Sequence, residues 1–388
     1  MKKRKWKALT VPALASTLVL TGVVPGTAWA AEVNQKSSVQ ISQQKNGQNT
    51  LSPEHFNELI KTAATQISSL DLYAKKVQSQ PDFNLTNAGL TDSLRNKIIN
   101  DQQQARSNVG AWRNTVKPQI IQTTQNIFSF GIKFNNYYQT MLQAADAKNK
   151  KTLVSGLELL RQQVQHNQQA TKDLIVVLQN FRNHLATDGQ NFSNDSQEVL
   201  KVSGNQQEYM KRLDDLIKQA ESDIAQGMDL MKMGAAIEGE GIFHQLIGWF
   251  KTFFDIMGDD GASEWAQGLI NSTEGGMMIK QGAEMYDKGK ENKKKASIEL
   301  GSVQSNYETL SVAKNELGTL ITEIDKAIGF AQTLVNQWND MDNRYDSLIS
   351  DINDVNKDDL TFVKEDLYTA KLSWNAIEQQ AGYLNNLD

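Results

Sequence analysis

Residues 119–388 contain no proline, and this constrains the fold more than any other feature of the 388-residue sequence. All five prolines lie at or before Pro118. Proline has no amide hydrogen and its ring clashes with the preceding helical turn, so it interrupts helices. A proline-free run of this length predicts long helices. Pro118 itself marks a predicted bend in a helical tract over residues 90–146.

Apolar residues recur three, four or seven positions apart through much of this run. One series spans residues 153–224 and a second spans residues 303–352. This spacing is typical of helices packed side by side, and neither series keeps the strict heptad of a coiled coil. The first series predicts one helix over residues 150–226, roughly 115 Å long, bent at Gly189 or Gly204 if at all. The predicted fold is an all-α, elongated bundle of long antiparallel helices.

A stretch of different composition interrupts this pattern. Residues 227–289 hold twelve of the 25 glycines and seven of the 11 methionines. Glycine adds backbone freedom, and methionine is an adaptable apolar filler. We therefore predict a small apolar head at residues 227–289, inserted between two long helices and either helical or a β-hairpin. Residues 53–226 and 290–388 form the predicted helical-bundle tail.

The predicted head contains one strongly apolar segment, residues 242–257. As a helix it is amphipathic, with Phe250 and Phe253 on the apolar face and Lys251 and Asp255 on the polar face. It would be about 24 Å long, short of the roughly 30 Å hydrocarbon layer, and its charges are costly in lipid. A core helix or a docking face for a partner would show the same stripe. We predict burial in the resting protein, and later contact with a membrane interface or a pore lining. The predicted membrane-interacting residues are Ile242, Phe243, Leu246, Ile247, Trp249, Phe250, Phe253, Phe254, Ile256 and Met257.

The amino-terminal residues are typical of a secretory signal peptide. Residues 1–30 begin with five basic side chains, continue with apolar and small residues, and end in Ala-Trp-Ala. This order predicts secretion, with cleavage between Ala30 and Ala31. Residues 31–52 are polar and aperiodic and predict a flexible leader. Because the chain has no cysteine, an exported form must be stabilised by packing alone.

Charge and motifs argue against several functional classes. Residues 31–388 carry 35 basic and 45 acidic side chains, a formal charge of −10, whereas nucleic-acid binding needs clustered basic residues. The four histidines are far apart, and the sequence has no thiol, no GxSxG motif and no phosphate-binding loop. A calcium-like run at residues 351–362 lacks the turn glycine and the final glutamate. We therefore expect no enzymatic activity, no metal, no cofactor and no nucleic-acid partner.

The first half of the predicted bundle resembles a known toxin family. The matching elements are Trp112 with Lys117 and Pro118, KFNNYY at residues 133–138, KNKKTL at 148–153, NFRNHL at 180–185 and DGQNFSND at 188–195. Together they resemble the haemolysin BL and non-haemolytic enterotoxin family, secreted components of three-part toxins from spore-forming Gram-positive bacteria. The resemblance extends over residues 54–388, with the insert matching least.

This resemblance implies a fold similar to cytolysin A. In that fold an elongated helical tail carries a head that is packed away in the soluble monomer and exposed during assembly on a membrane. Residues 227–289 correspond to that head. Several family members carry a long apolar run there, which is interrupted in this chain by Lys251, Asp255, Asp259, Asp260 and Glu264. The departure favours a component that depends on assembly or on partners.

The leading hypothesis is a secreted component of a multi-part α-helical pore-forming toxin. It would assemble with companion toxin components on the target-cell membrane, as a homo-oligomer or a hetero-oligomer, and expose its apolar head. The alternative is an exported helical binding protein whose head docks a protein partner or receptor without entering the membrane. Lipid binding distinguishes the two, because only the toxin component is expected to bind protein-free lipid, alone or with companions.

Overall fold

The computed structural model describes residues 51–52, 56–79, 82–83, 90–202, 207–239, 245, 274–298, 302–354 and 359–380. Residues 49–388 form one compact unit. The described part of this unit is helical apart from short connections, which confirms the predicted all-α class. The predicted signal peptide lies outside the described residues, as does the predicted leader except for residues 51–52.

The described residues form eight α-helices, and the two longest lie beyond Pro118, as a proline-free sequence predicts. They are α1 (Phe56–Ser79), α2 (Asp92–Ala111), α3 (Lys117–Asp146), α4 (Lys150–Val202), α5 (Gln207–Glu238), α6 (Glu274–Ile298), α7 (Ser302–Asn353) and α8 (Thr361–Glu378). A five-residue π-helical turn, Trp112–Val116, joins α2 to α3. With 53 and 52 residues, α4 and α7 are each about 80 Å long.

The two longest helices, α4 and α7, pack side by side in opposite directions. Arg161 Nε donates to Asp342 Oδ1 at 2.8 Å, and Arg182 Nε donates to Asp325 Oδ1 at 2.5 Å. Most of the predicted apolar stripe of each of these two helices is buried. The stripe of α4 comprises Leu153, Leu157, Leu160, Val164, Leu174, Leu178, Phe181 and Leu185. Gly189 was one of two predicted bends, but α4 continues through it as α-helix.

The chain reverses direction after α4, so the predicted single helix over residues 150–226 is wrong. Asp229 Oδ2 of α5 lies 2.7 Å from Lys326 Nζ of α7, at a level that α4 passes well before its own end. Helix α5 therefore runs back beside the bundle instead of extending α4. Residues 203–206, which include Gly204, lie outside the described residues. Apolar periodicity continues through both helices because each buries a stripe, so spacing alone does not reveal the reversal.

An aromatic core joins α3, α7 and α8. The ring centroid of Phe130 lies 5.8 Å from that of Trp338 and 4.9 Å from that of Trp374. Tyr345 OH and Trp374 Nε1 both donate to the carbonyl oxygen of Leu51 at 3.4 Å. All five residues are buried. Tilted and edge-on ring pairs add to the large apolar area that such side chains bury, so this cluster fixes α8 and the first described residues against α7.

A helix irregularity lies directly before Pro118, where a bend was predicted. The backbone N–H of Lys117 donates to the carbonyl oxygen of Trp112, which closes the wider π-helical turn. Proline lacks a donor and crowds the preceding turn, and a wider turn accommodates both defects. Trp112 Nε1 and Lys117 Nζ also donate to the two carboxylate oxygens of Asp71, at 2.5 and 2.9 Å. Two of the residues that carry the family resemblance thus fix this turn to α1.

Candidate functional site

The predicted membrane-interacting segment, residues 242–257, lies outside the described residues except for Gln245, which is not among the ten predicted positions. The role of those ten positions stays a prediction. The structure does describe the two helices that flank the segment, since α5 ends at Glu238 and α6 begins at Glu274. We call α5 and α6 the flanking pair. They flank the segment in the sequence, and they form the candidate functional site.

Glycines in direct backbone contact hold the flanking pair together. A β-carbon placed on Gly227 would lie 2.4 Å from the carbonyl oxygen of Gly282, and one placed on Gly282 would lie 2.4 Å from the carbonyl oxygen of Gly227. Gly234 and Gly275 are related in the same way, at 2.4 and 2.6 Å. Real β-carbons essentially never approach another atom closer than 3.0 Å. These positions therefore accept only glycine unless the helices move apart.

The contacts recur every seven residues along both helices. A β-carbon placed on Gly289 would lie 2.7 Å from the carbonyl oxygen of Ala220, which adds a third contact. Seven residues are close to two helical turns, so the contacts form one line along each helix. We call this line the glycine seam. It comprises Ala220, Gly227 and Gly234 of α5, and Gly289, Gly282 and Gly275 of α6.

The glycine seam makes the flanking pair a tight antiparallel hairpin. Glycine costs a helix about 1 kcal/mol relative to alanine, so this composition is unfavourable unless close packing offsets it. A shift in register would bring larger side chains onto the opposite backbone, which resists sliding of the helices. In these described helices the glycines therefore reflect close packing rather than the backbone freedom that their enrichment suggested. The seven-residue spacing is the sequence signal that identifies them.

The end of the flanking pair nearest the apolar segment combines a polar contact with exposed apolar side chains. Glu238 Oε1 accepts a hydrogen bond from the backbone N–H of Gly276 at 2.8 Å. This N–H lies in the first turn of α6, where amides lack helical partners and a carboxylate is favourable. Met233, Ile237 and Met277 near the same end are 47%, 55% and 57% exposed. Exposed apolar side chains are thus present where the flanking pair leads into the predicted segment, and Leu216 near the other end of α5 is exposed to the same degree, at 56%.

A cluster of buried and half-buried polar side chains joins α5 to α1 and α7. Lys232 of α5 is 1% exposed; its Nζ donates to Ser69 Oγ of α1 and lies 2.8 Å from Asp229 Oδ1. Asp229 Oδ2 lies 2.7 Å from Lys326 Nζ of α7, which in turn lies 2.6 Å from Glu323 Oε1. We call these five residues the ion cluster.

The charges of the ion cluster sustain one another. Burial by itself raises the pKa of Asp229, but the charges and hydrogen bonds of Lys232 and Lys326 outweigh it and lower that pKa below its usual value. Burial by itself lowers the pKa of Lys326, but Glu323 and Asp229 outweigh it and raise that pKa. Both groups therefore stay ionised at neutral pH. The sequence held no signal for this cluster, because its members come from three distant helices.

Two kinds of feature are absent from the described residues. None of the described helices is both long and apolar enough to cross a membrane. Within the same residues, no group of three or more histidine, aspartate and glutamate side chains is arranged to hold a metal ion.

Comparison with known proteins relates the chain to toxin components. The family model described as Bacillus haemolytic enterotoxin (HBL) matches residues 50–227. A Bacillus cereus protein described as an uncharacterized protein in the hblA 3' region is 29% identical over 160 residues, which are 40% of this chain and 97% of that protein. The match to the family model thus covers the first half of the bundle and ends at Gly227, the first glycine of the seam.

Solved structures share the fold over most of the chain. The HblL1 toxin component of Bacillus cereus is 25% identical with a TM-score of 0.75, and the match covers 87% of this chain and 98% of HblL1. SmhA of the tripartite α-pore-forming toxin of Serratia marcescens is 14% identical with a TM-score of 0.66, covering 87% and 95%. AhlB of the corresponding Aeromonas hydrophila toxin is 16% identical with a TM-score of 0.61, covering 86% and 92%. At these identities SmhA and AhlB show the fold alone.

Proposed function

We infer that the chain is a component of a toxin of the Bacillus haemolytic enterotoxin (HBL) family, whose model matches residues 50–227, and from this premise we propose that it assembles with companion components into a pore on target-cell membranes. In this proposal it acts as a pore-forming-toxin component and not as an enzyme. The observation that carries the proposal is the fold shared with HblL1 over 87% of the chain at 25% identity.

In this proposal the apolar segment at residues 242–257 is the membrane-interacting element. The glycine seam supports this role, because it joins the helices on both sides of the segment into one hairpin. The exposed Met233, Ile237 and Met277 support it too, since they place apolar side chains on the helix ends that lead into the segment. An interfacial apolar surface gains free energy roughly in proportion to the area that it buries in lipid.

Secretion and companion proteins complete the proposal. The order of charged, apolar and small residues in residues 1–30 supports export with cleavage between Ala30 and Ala31. SmhA and AhlB belong to tripartite toxins, which supports companion components for this chain. The charges within the apolar segment point the same way, because Lys251 and Asp255 disfavour an isolated membrane span.

The second candidate is an exported binding protein whose head docks a protein partner. The same charges, together with Asp259, Asp260 and Glu264, favour it over deep insertion. It predicts no binding to protein-free lipid, whether or not companions are present.

The deciding experiment measures calcein release from liposomes and lysis of animal cells. The mature protein is tested alone and then together with culture supernatant from its source strain, from which the gene for this protein has been deleted. The proposal predicts release, lysis or both when the two are combined. If the wild-type protein is inactive in both assays under both conditions, the hypothesis of an exported binding protein is favoured instead.

The matched variants are Phe250→Asp/Phe253→Asp on the apolar face and Gln245→Asp/Thr252→Asp on the polar face. The first should reduce lysis by at least about 100-fold, because each aspartate costs roughly 3 kcal/mol to bring into lipid. The second adds the same charge and should lyse like wild type. Lysis at the wild-type rate by the apolar-face variant would show that residues 242–257 are not the membrane-interacting element.

A further inference from the structure

We propose that the ion cluster is a latch that holds the flanking pair against α1 and α7 before assembly and must open for the protein to act. Lys232 and Asp229 belong to the pair, whereas Ser69, Lys326 and Glu323 belong to the bundle. The inference rests on the proposed function and deepens it. It assigns release of the apolar segment to contacts that lie outside that segment.

The two helices of the pair are attached to the bundle unequally. Helix α6 packs against α5 along its length, and α5 makes the pair's main contacts with α7 and α1. Within the pair, the backbones touch at Gly227 with Gly282 and at Gly234 with Gly275. Separating α5 from α6 would break these contacts, whereas separating the pair from the bundle would leave them intact. The pair therefore leaves the bundle as one body.

Charges suit a contact that must hold a position and later open. Lys232 is 1% exposed, so its ammonium group needs partners within the protein. Asp229 of the same helix and Ser69 of α1 provide them. This requirement fixes the register of α5 on α1. Yet a half-buried ion pair such as Asp229 with Lys326 adds little net stability, because its charges regain full hydration once both are exposed. An apolar contact of similar size would lose its whole burial free energy on opening. The latch thus fixes the position of α5 on the bundle, and opening it costs little free energy.

A reversible cross-link tests whether the latch must open. The sequence has no cysteine, so Ser69→Cys/Lys232→Cys can be joined by a short bis-methanethiosulfonate and released by a thiol reductant. With the same culture supernatant as the source of companion components, the cross-linked form should lyse cells at least about tenfold more slowly than the reduced form. Addition of reductant should restore lysis. The matched control, Arg182→Cys/Asp325→Cys, joins α4 to α7 at the same level of the bundle and should lyse equally well in both states. Equal lysis by the cross-linked and reduced latch variants would overturn the latch.

A measurement on the isolated protein separates failure of the latch from failure of the proposed function. Lys232→Met should raise hydrogen–deuterium exchange throughout α5 and α6 by about tenfold while α4 and α7 stay protected. Ser69→Ala, which removes one hydrogen bond and no charge, should give a smaller change in the same helices. Lys280→Met, at an exposed position of α6, should leave exchange unchanged.

The outcomes are distinct. Selective exchange in α5 and α6 supports the latch even if no form lyses cells, a result that would reject only the toxin proposal. Unchanged exchange in both Lys232→Met and Ser69→Ala, or equal loss of protection in all helices of both variants, would reject the latch even if wild type lyses cells.

Discussion

Replacing a glycine of the seam by alanine should destabilise the protein, although alanine is the better helix former. In Gly282→Ala the new β-carbon would lie 2.4 Å from the carbonyl oxygen of Gly227 and 2.7 Å from the backbone nitrogen of Met231. Ordinary contact begins at 3.4 Å, so the two backbones must separate by about 1 Å at this point. The flexible end of a side chain could yield, but these atoms belong to the backbone.

The magnitude follows from two opposing effects. Overpacking costs about 1–3 kcal/mol, and a gap of this size also removes roughly a quarter to a half of each neighbouring dispersion contact. Alanine returns about 1 kcal/mol of helix propensity. We expect Gly282→Ala to lower the free energy of unfolding by about 2 kcal/mol.

The same substitution at an open position gives the matched control. A β-carbon on Gly318 of α7 would meet nothing within 4 Å, so Gly318→Ala should raise the free energy of unfolding by about 1 kcal/mol. Urea unfolding followed by circular dichroism measures both variants, and hydrogen exchange should place the effect of Gly282→Ala in α5 and α6. If Gly282→Ala stabilises the protein as much as Gly318→Ala does, α5 and α6 are not in backbone contact and the reasoning fails.

Two further predictions concern the carboxylates of Asp195 and Asp71. Asp195, whose side chain is fully buried beside Lys97, has a pKa raised to about 6, chiefly by burial. Since the folded state holds this proton more tightly than the unfolded state, wild-type stability to urea should fall by about 1 kcal/mol from pH 5 to pH 7.5 on this account, and Asp195→Asn should lack that fall. Trp112→Phe removes the indole N–H that donates to Asp71 and should lower the free energy of unfolding by about 2 kcal/mol. A double-mutant cycle with Asp71→Asn tests this, because a coupling energy near zero would show that the hydrogen bond contributes nothing.

The long helices could be predicted because their causes are local. Proline is absent beyond Pro118, and apolar side chains return every three or four residues, so the stripes of α4 and α7 are visible in the sequence. The predicted end of a helical tract at residue 146 agrees with the end of α3. Trp112 and Lys117 are two of the residues that carry the family resemblance. Both fix one irregular turn to α1.

The reversal between α4 and α5 and the ion cluster could not be predicted in the same way. Periodicity reports which face of a helix is buried, and it is identical whether the next helix continues or returns. Asp229 and Lys232 are ordinary polar residues in sequence, and they become a cluster only when α5 lies against Ser69 and Lys326. The glycine seam lies between these cases, because its seven-residue spacing is visible but its partner helix is not.

The burial of Leu51 determines where a label can be attached. Its carbonyl oxygen accepts from Tyr345 and Trp374, and its side chain is 1% exposed. A fluorophore or affinity tag fused ahead of this residue would be tethered at the level of Tyr345, about 29 Å along α7 from Lys326. Such a tether would leave the ion cluster and the glycine seam untouched. Leu51 thus provides an anchoring point from which movement of the flanking pair can be followed by energy transfer.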